Sequence, residues 1–249
     1  QEMVIGDVLD ADKLNSVITG AEVVYNFAAL ADLNQAIGKP LETVNINILG
    51  NVNVMEACRL NDIKRFIYAS TVYVQSREGG FYRCSKNASE NYVEEYQRVF
   101  GLDYTILRYG SLYGPRSDET NGLYRILKLA LDKGVIKYEG HKESMREYIH
   151  VEDAAHASVA ILDESFRNES ITLTGQEPMR VLDLLKMLAE ILDMSEDVVE
   201  FIDVNYPGHY VRTPYSYQPK LGRKFVPQVH VDLGQGLLQL INDLRKEEK

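Results

Sequence analysis

Short apolar segments alternate with amphipathic helical segments through the first 110 residues, and this alternation restricts the possible folds more than any other feature. The short segments are apolar on both faces, as strands are when helices cover both sides of a sheet. Strands are predicted at 3–5, 21–27, 65–69 and 104–107, and helices at 12–18, 41–60 and 81–99. The pattern predicts an α/β fold of the Rossmann-like type, with a doubly wound parallel sheet.

Beyond residue 108 the pattern is interrupted by glycine and proline at positions 110, 114, 115 and 122. Helices are predicted at 123–133, 151–162, 181–192 and 232–244, with a short strand at 135–138 and an aromatic-rich loop at 207–219. We therefore predict two domains. The sheet domain comprises 1–110 and 148–164, and a smaller discontinuous domain comprises 111–147 and 165–249.

Charge and composition exclude several classes of protein. Lys and Arg number 27 against 37 Asp and Glu, a net charge of -10, which disfavours binding to nucleic acid or to an anionic membrane. No apolar run approaches the roughly 20 residues that span a bilayer. The two cysteines form no disulfide framework, and no Cys/His cluster predicts a metal site. Because no signal peptide is evident, we expect a cytoplasmic protein.

Tyr82 and Lys86 lie four residues apart on a predicted helix and therefore share one of its faces. A nearby ammonium lowers the pKa of a phenol, so this pair is suited to proton transfer. The plain alternative is a chance surface pair, since the chain has 16 tyrosines. Ser70 and Thr71 favour the first interpretation, because they end a predicted parallel strand, where doubly wound proteins bind ligands.

Six motifs occur in the order found in the extended short-chain dehydrogenase/reductases, and the chain resembles their nucleotide-sugar epimerase/dehydratase group. The motifs are Gly6-Asp7-Val8, Asn26-Phe27-Ala28-Ala29, Asn47-Ile48-Leu49-Gly50, Ser70-Thr71 with Tyr82-x-x-x-Lys86, Leu107-Arg108-Tyr109 through Arg116, and Arg146 through Val151. The resemblance implies NAD as cofactor, with NADP as the alternative, and a nucleotide-diphosphate sugar as substrate.

The resemblance also implies a role for each matching residue. The catalytic residues would be Thr71, Tyr82 and Lys86, where the register of the strand selects Thr71 over Ser70. The cofactor contacts would be Asp7, Val8, Phe27, Ala28, Ala29, Asn47, Ser70, Tyr82, Lys86 and Tyr109. The substrate contacts would be Ser111, Asn121, Arg146 and Arg212, although Asn121 is equally placed to cap the helix that follows it. A homodimer formed through the helices at 41–60 and 81–99 is expected.

Two departures from the family pattern narrow these expectations. The glycine-rich turn that holds the cofactor pyrophosphate is missing, so we expect about 50–70 further residues before Gln1. Val72 and Tyr73 follow Thr71 where dehydratases carry an acidic pair and decarboxylases tend to carry Glu. This disfavours both reactions and leaves C4 epimerisation as the prediction. The alternatives are a nucleotide-sugar ketoreductase and a non-catalytic dinucleotide-binding protein.

Overall fold

The computed structural model describes residues 2–175 and 178–202. The strands are β1 Val23–Asn26, β2 Arg65–Thr71, β3 Tyr104–Tyr109, β4 Ser111–Tyr113, β5 Ile136–Glu139, β6 Met145–Arg146, β7 Tyr148–His150, β8 Glu169–Leu173, β9 Met179–Arg180 and β10 Val199–Ile202. The α-helices are α1 Ala11–Ile18, α2 Leu33–Gly38, α3 Pro40–Val44, α4 Gly50–Leu60, α5 Gly80–Phe100, α6 Gly122–Lys133, α7 Val151–Ala160 and α8 Val181–Ile191.

The main sheet has four parallel strands in the order β1-β2-β3-β8. Every residue of β2 is buried, as expected for a central strand covered on both faces. One face packs against α1, α4 and α5 through residues that include Met55, Phe66 and Ile106. Ile67, Leu107 and Ile161 form a smaller core on the other face. The predicted α/β fold with a parallel sheet is confirmed.

Two strand assignments differ from the sequence prediction. Residues 3–5 form no strand, and Met3 and Ile5 are 86% and 81% exposed. Within the described residues β1 pairs only with β2, and an apolar triplet without a strand partner has no ladder to join. Conversely, β8 was not predicted, yet it pairs with β3 along its whole length. The predicted boundary after residue 164 assigns this strand to the smaller domain, whereas it belongs to the main sheet.

The helix predicted at 41–60 is a continuous helical run with one irregular turn. The run consists of α3, a π-helical turn at Asn45–Leu49, and α4. In that turn the Gly50 amide donates to the Asn45 carbonyl, a spacing of five residues. Such turns often occur at functional sites. Here the Asn47 carbonyl accepts a hydrogen bond from Ser89 on α5, at 2.8 Å.

Besides α7 and β8, the described chain beyond β3 consists of short paired strands and the two amphipathic helices α6 and α8. Strands β4 and β7 pair in parallel, as do β5 and β10, whereas β6 and β9 pair antiparallel. Helices α6 and α8 share an apolar core with residues that include Ile136, Leu185 and Phe201. This core is separate from those of the main sheet, but the division into two domains stays a prediction.

Membrane-spanning helices and metal-binding clusters are both absent from the described residues. No helix in that part of the chain combines the length and the apolar character needed to cross a membrane. The same part contains no group of three or more His, Cys, Asp and Glu side chains arranged to hold a metal ion.

Candidate active site

A cavity of about 680 Å³ opens where β2 and β3 end. Ligands bind at this edge of parallel sheets, because the loops that follow neighbouring strands separate there. Its lining brings together residues far apart in sequence, among them Asp32, Thr71, Tyr73, Tyr82, Tyr109, Ser111, Asn121, Lys137, Tyr138 and Arg146. The predicted catalytic residues Thr71 and Tyr82 thus share one cavity with the predicted substrate contacts Ser111, Asn121 and Arg146.

Tyr82 lies in the first turn of α5, which begins directly after Gly79. Gly79 has a φ of 92°, and a Cβ there would lie 2.8 Å from the Tyr73 ring, so only glycine fits this turn. Thr71 and Tyr82 both line the cavity. Burial raises the pKa of Tyr82 to about 12, although a smaller contribution from the Thr71 side chain acts in the opposite direction. Tyr82 is therefore a neutral phenol at pH 7 in this state.

Lys86 is buried one turn further along α5. Its ammonium donates to the Ala69 carbonyl at 2.6 Å, and it lies 4.7 Å from the centroid of the Tyr68 ring and 5.9 Å from that of Tyr82. Burial lowers the pKa of Lys86 to about 8, and the charge of Glu90 partly opposes this shift. The expectation that Lys86 lowers the pKa of Tyr82 is not met in this structure, because burial dominates and the ammonium bonds the backbone.

Ser70 and Thr71 point to opposite faces of β2, as successive strand residues do. Thr71 lines the cavity. Ser70 instead donates to the carboxylate of Glu90, which also accepts from Arg108 at 2.6 and 3.0 Å. The structure therefore separates the two hydroxyls. Ser70 lies in a buried polar cluster outside the cavity lining, and its predicted contact with the cofactor stays a prediction.

Asn47 links three elements beside the Tyr82 helix. Its side-chain oxygen accepts from the Leu30 amide at 2.7 Å, and its amide nitrogen donates to the Leu30 carbonyl and to Ser85. Ser85 in turn donates to the Tyr82 carbonyl. Asn47 thus fixes the loop after Ala28 and Ala29 relative to the start of α5, and its predicted role in supporting the site agrees with this position.

The predicted cofactor contacts near the amino terminus form a turn that rests on α4. Asp7 accepts from the Leu9 amide at 2.9 Å, and the Val8 carbonyl accepts from Asn53. A Cβ on Gly50 would come within 2.6 Å of the Val8 side chain, so the turn packs this closely against α4 because residue 50 has no side chain.

Aromatic and small residues continue the surface beyond β1. Phe27 is 58% exposed, and its ring centroid lies 6.1 Å from those of both Tyr25 and Tyr109. The Ala28 amide donates to the Asn26 side chain, which holds the chain in a turn. The Tyr109 hydroxyl lies 2.6 Å from that of Ser158.

The predicted substrate-contacting residues lie on elements that follow β3 in the chain. Ser111 begins β4, and Arg146 is buried with one nitrogen donating to the Met145 carbonyl and another to the Tyr138 hydroxyl. Asn121 caps α6 through the Tyr124 amide and also donates to the Leu112 carbonyl. The capping interpretation of Asn121 is thus the one that the structure shows. Arg212 lies outside the described residues.

Sequence reasoning missed the polar residues behind the site, namely Ser85, Ser89, Glu90 and Arg108 in its buried pairing. Ser85, Ser89 and Glu90 lie three, seven and eight residues after Tyr82, so they share the inner side of α5. A run of small and polar residues on the helix face that carries the Tyr/Lys pair was the available signal.

A parallel sheet with a half-buried tyrosine and a buried lysine near its carboxyl edge is typical of Rossmann-like enzymes. The chain belongs to the NAD dependent epimerase/dehydratase family, which matches residues 1–173. A putative UDP-glucose 4-epimerase from Methanocaldococcus jannaschii is 24% identical over 270 residues, covering 100% of this chain and 85% of that protein.

Two solved structures illustrate the range of reactions among its structural relatives. A UDP-glucuronic acid 4-epimerase from Bacillus cereus, solved with NAD, superposes with a TM-score of 0.77 at 25% identity, over 88% of this chain and 76% of that one. A dTDP-glucose 4,6-dehydratase from Streptomyces venezuelae, also solved with NAD, gives a TM-score of 0.76 at 21% identity, over 96% and 78%. Both epimerases and dehydratases are therefore similar to this chain.

Proposed function

We propose that the protein is an NAD-dependent nucleotide-sugar epimerase that acts at C4. The observation that carries the proposal is a cavity lined by Tyr82 and Thr71, with Lys86 beside the Tyr82 ring and no carboxylate directly after Thr71. Val72 is buried and Tyr73 lines the cavity in the positions where the acidic pair of a dehydratase is expected. The site therefore carries groups for proton exchange at a hydroxyl and lacks that pair for eliminating water.

The described residues fit the nicotinamide half of NAD. Asn47 fixes the backbone after the small residues Ala28 and Ala29, where a cofactor can approach closely. The exposed ring of Phe27 and the half-buried ring of Tyr109 offer flat apolar surface beside Tyr82. A bound NAD would supply the hydride acceptor for the sugar carbon and, once reduced, the hydride donor for its return. These residues, with Lys86, would hold the cofactor.

Tyr82 would exchange the proton at the sugar hydroxyl. Its neutral form is the one needed to give a proton to a keto oxygen, and its ionised form is the one needed to take a proton from the alcohol. The Thr71 side chain favours the ionised form, and from its place in the cavity lining Thr71 would bond the same sugar oxygen. The buried ammonium of Lys86 adds positive charge beside the Tyr82 ring.

Binding of the diphosphate would leave the sugar free to turn. Arg146 and Lys137 place positive charge on the cavity wall, and the amino terminus of α6 opens onto the same cavity at Gly122. Anchoring the nucleotide at this end would retain the substrate while the keto sugar presents its other face to the returning hydride. Binding energy from the remote group would thus serve the reacting centre.

The test is conversion of a panel of nucleotide sugars by the purified protein with NAD. We expect one C4 epimer pair to interconvert, and Tyr82→Phe to lower turnover by about 10²–10⁴-fold through loss of the acid-base group. Tyr92→Phe is the matched control, because Tyr92 lies on the same helix and is 48% exposed. Absence of any turnover, or equal rates for Tyr82→Phe and the parent, contradicts the proposal.

The same assay separates the alternatives. A ketoreductase also lacks the acidic pair after its hydroxyl residue, but it consumes NADH or NADPH in proportion to product, whereas an epimerase regenerates its cofactor. A non-catalytic protein binds the dinucleotide without turnover on the whole panel.

We also propose a homodimer formed through α3–α4 and α5. These helices expose apolar side chains, among them Leu41, Leu60 and Val99. Exposed aliphatic residues concentrated on two helices are typical of a protein interface. Sedimentation that shows only monomer at micromolar concentration contradicts this expectation.

A further inference from the structure

An ion pair between the buried Glu90 and the half-buried Arg108 lies directly behind the candidate catalytic residues. Glu90 on α5 is 4% exposed and accepts two hydrogen bonds from the Arg108 guanidinium on β3, from Nη2 at 2.6 Å and from Nε at 3.0 Å. Burying two charges is costly unless the geometry is good and the remaining lone pairs are satisfied. Here a third donor, the hydroxyl of Ser70, also bonds the Glu90 carboxylate.

The contact with Ser70 connects the ion pair to the residues that hold the candidate catalytic side chains. Ser70 lies between Ala69, whose carbonyl accepts a hydrogen bond from the Lys86 ammonium, and Thr71, which lines the cavity with Tyr82. Arg108 is the register partner of Ser70 on β3. Glu90 therefore connects the helix that carries Tyr82 and Lys86 to the strand end that carries Ala69 and Thr71.

The charges around Lys86 give Glu90 a second effect. The titratable groups that face Lys86 are Glu90 and Tyr82 on its own helix and Tyr68 on β2, with Arg108 on β3 behind Glu90. Glu90 is the acidic side chain of this set, and it lies one helical turn from Lys86. Its carboxylate offsets the cost of burying the ammonium, while Arg108 limits how much negative charge Lys86 experiences.

We propose that Glu90 is a positioning residue for the Tyr82–Thr71–Lys86 site, with Arg108 as its counter-ion. It fixes the end of β2 through Ser70, and it keeps the buried Lys86 ammonium charged near neutral pH. The catalytic part of this proposal rests on the proposed function, whereas the effect on Lys86 does not require turnover.

The first experiment compares pH profiles of turnover for the parent, Glu90→Gln and the double variant Glu90→Gln/Arg108→Gln. Glu90→Gln leaves Arg108 as an unbalanced positive charge beside Lys86. We expect the pH above which turnover falls to move down by about 1 pH unit or more, and the double variant to recover part of that shift. Glu95→Gln is the matched control, because Glu95 is an exposed residue of the same helix paired with Arg98.

The second experiment measures the same effect without substrate. Loss of the Lys86 proton makes the unfolding free energy rise with pH, and we expect this rise to begin at lower pH in Glu90→Gln than in the parent. Lys86→Met in each background identifies the part of the rise that belongs to Lys86. The double variant does not leave the Arg108 guanidinium without its counter-ion, so it supplies the measurement if Glu90→Gln alone does not fold.

The outcomes separate this inference from the proposed function. If no nucleotide sugar is converted but the stability profile shifts as expected, the proposed function fails and the role of Glu90 toward Lys86 stands. The pH profiles of turnover and of unfolding free energy for Glu90→Gln can each be scaled to the parent's maximum. If both scaled profiles then coincide with those of the parent, Glu90 is only a structural residue and the inference is overturned.

Discussion

Replacing Lys86 with Met removes the one ammonium that is buried at the candidate site, and its effect on stability is predicted to depend on pH. The pKa of Lys86 falls from its usual 10.5 to about 8 in the folded protein. The folded state therefore releases this proton first as the pH rises, whereas the unfolded chain keeps it until about 10.5. Between those two values the unfolded state binds more protons, so the free energy of unfolding increases with pH.

The size of the effect follows from the shift. A change of 2.5 pH units, from 10.5 to 8, corresponds to about 3 kcal/mol at roughly 1.4 kcal/mol per unit. This stability is fully present above pH 10.5 and is lost as the pH falls through 8. Because Lys86 is only 2% exposed, screening by water does not reduce the figure appreciably.

The assay is denaturant unfolding of the parent and of Lys86→Met at intervals between pH 7 and 10.5. We expect the parent to gain about 3 kcal/mol relative to the variant across this range. Tyrosines titrate in both proteins, so their contribution largely cancels in the difference. Lys64→Met is the control, since the Lys64 side chain is 71% exposed and should give no such slope. Parallel curves for the parent and Lys86→Met would refute the reasoning.

Four further substitutions test other features of the site. Thr71→Val should lower turnover by about 10²-fold or more through loss of the hydroxyl beside Tyr82, whereas Ser70→Ala should chiefly lower stability, by about 1–3 kcal/mol in urea unfolding. Asn121→Ala should cost about 1 kcal/mol of stability by removing the cap of α6, with the affinity for a nucleoside diphosphate in titration calorimetry nearly unchanged. A tenfold loss of that affinity would restore the alternative role in substrate binding. Gly50→Ala places a Cβ 2.6 Å from Val8 and should destabilise by about 1–3 kcal/mol in thermal unfolding. An unchanged melting temperature would show that the turn at Val8 moves aside freely.

Local signals explain why most helices were predictable. Gly101 and Gly134 end α5 and α6 in left-handed conformations, with φ of 73° and 68°, as glycine after a helix does. Strand β8 had no such signal, because its residues are only half buried and its pairing with β3 joins positions more than 60 residues apart. Residues 3–5 show the opposite case. Their apolar sequence predicted a strand, but apolar residues form a strand only where a neighbouring strand pairs with them.

At the candidate site, too, relations between residues close in sequence were predictable, whereas contacts between separate elements were not. Spacing predicted that Tyr82 and Lys86 share a helix face, and the register of the strand selected Thr71 over Ser70 as the catalytic hydroxyl. The direction of the Tyr82 pKa was not predictable in this way, because it depends on how deeply the phenol is buried. The pairing of Glu90 with Arg108 joins residues 18 apart on a helix and a strand, and only the packing of the two elements reveals it.

The π-helical turn at Asn45–Leu49 lets one helical run satisfy two separate angular requirements. Each residue advances an α-helix by roughly 100°, so the extra residue of a π turn rotates everything after it relative to everything before it. Asn47 faces Leu30 and Ser85, while Val54 and Met55, on the far side of the turn, face the sheet. Deleting a single residue from this turn would restore regular helix and force a choice between the two orientations. A protein shortened in this way is expected either to keep its core and misplace Asn47, or to keep Asn47 in place and lose its core. No substitution of a neighbouring side chain is expected to preserve both.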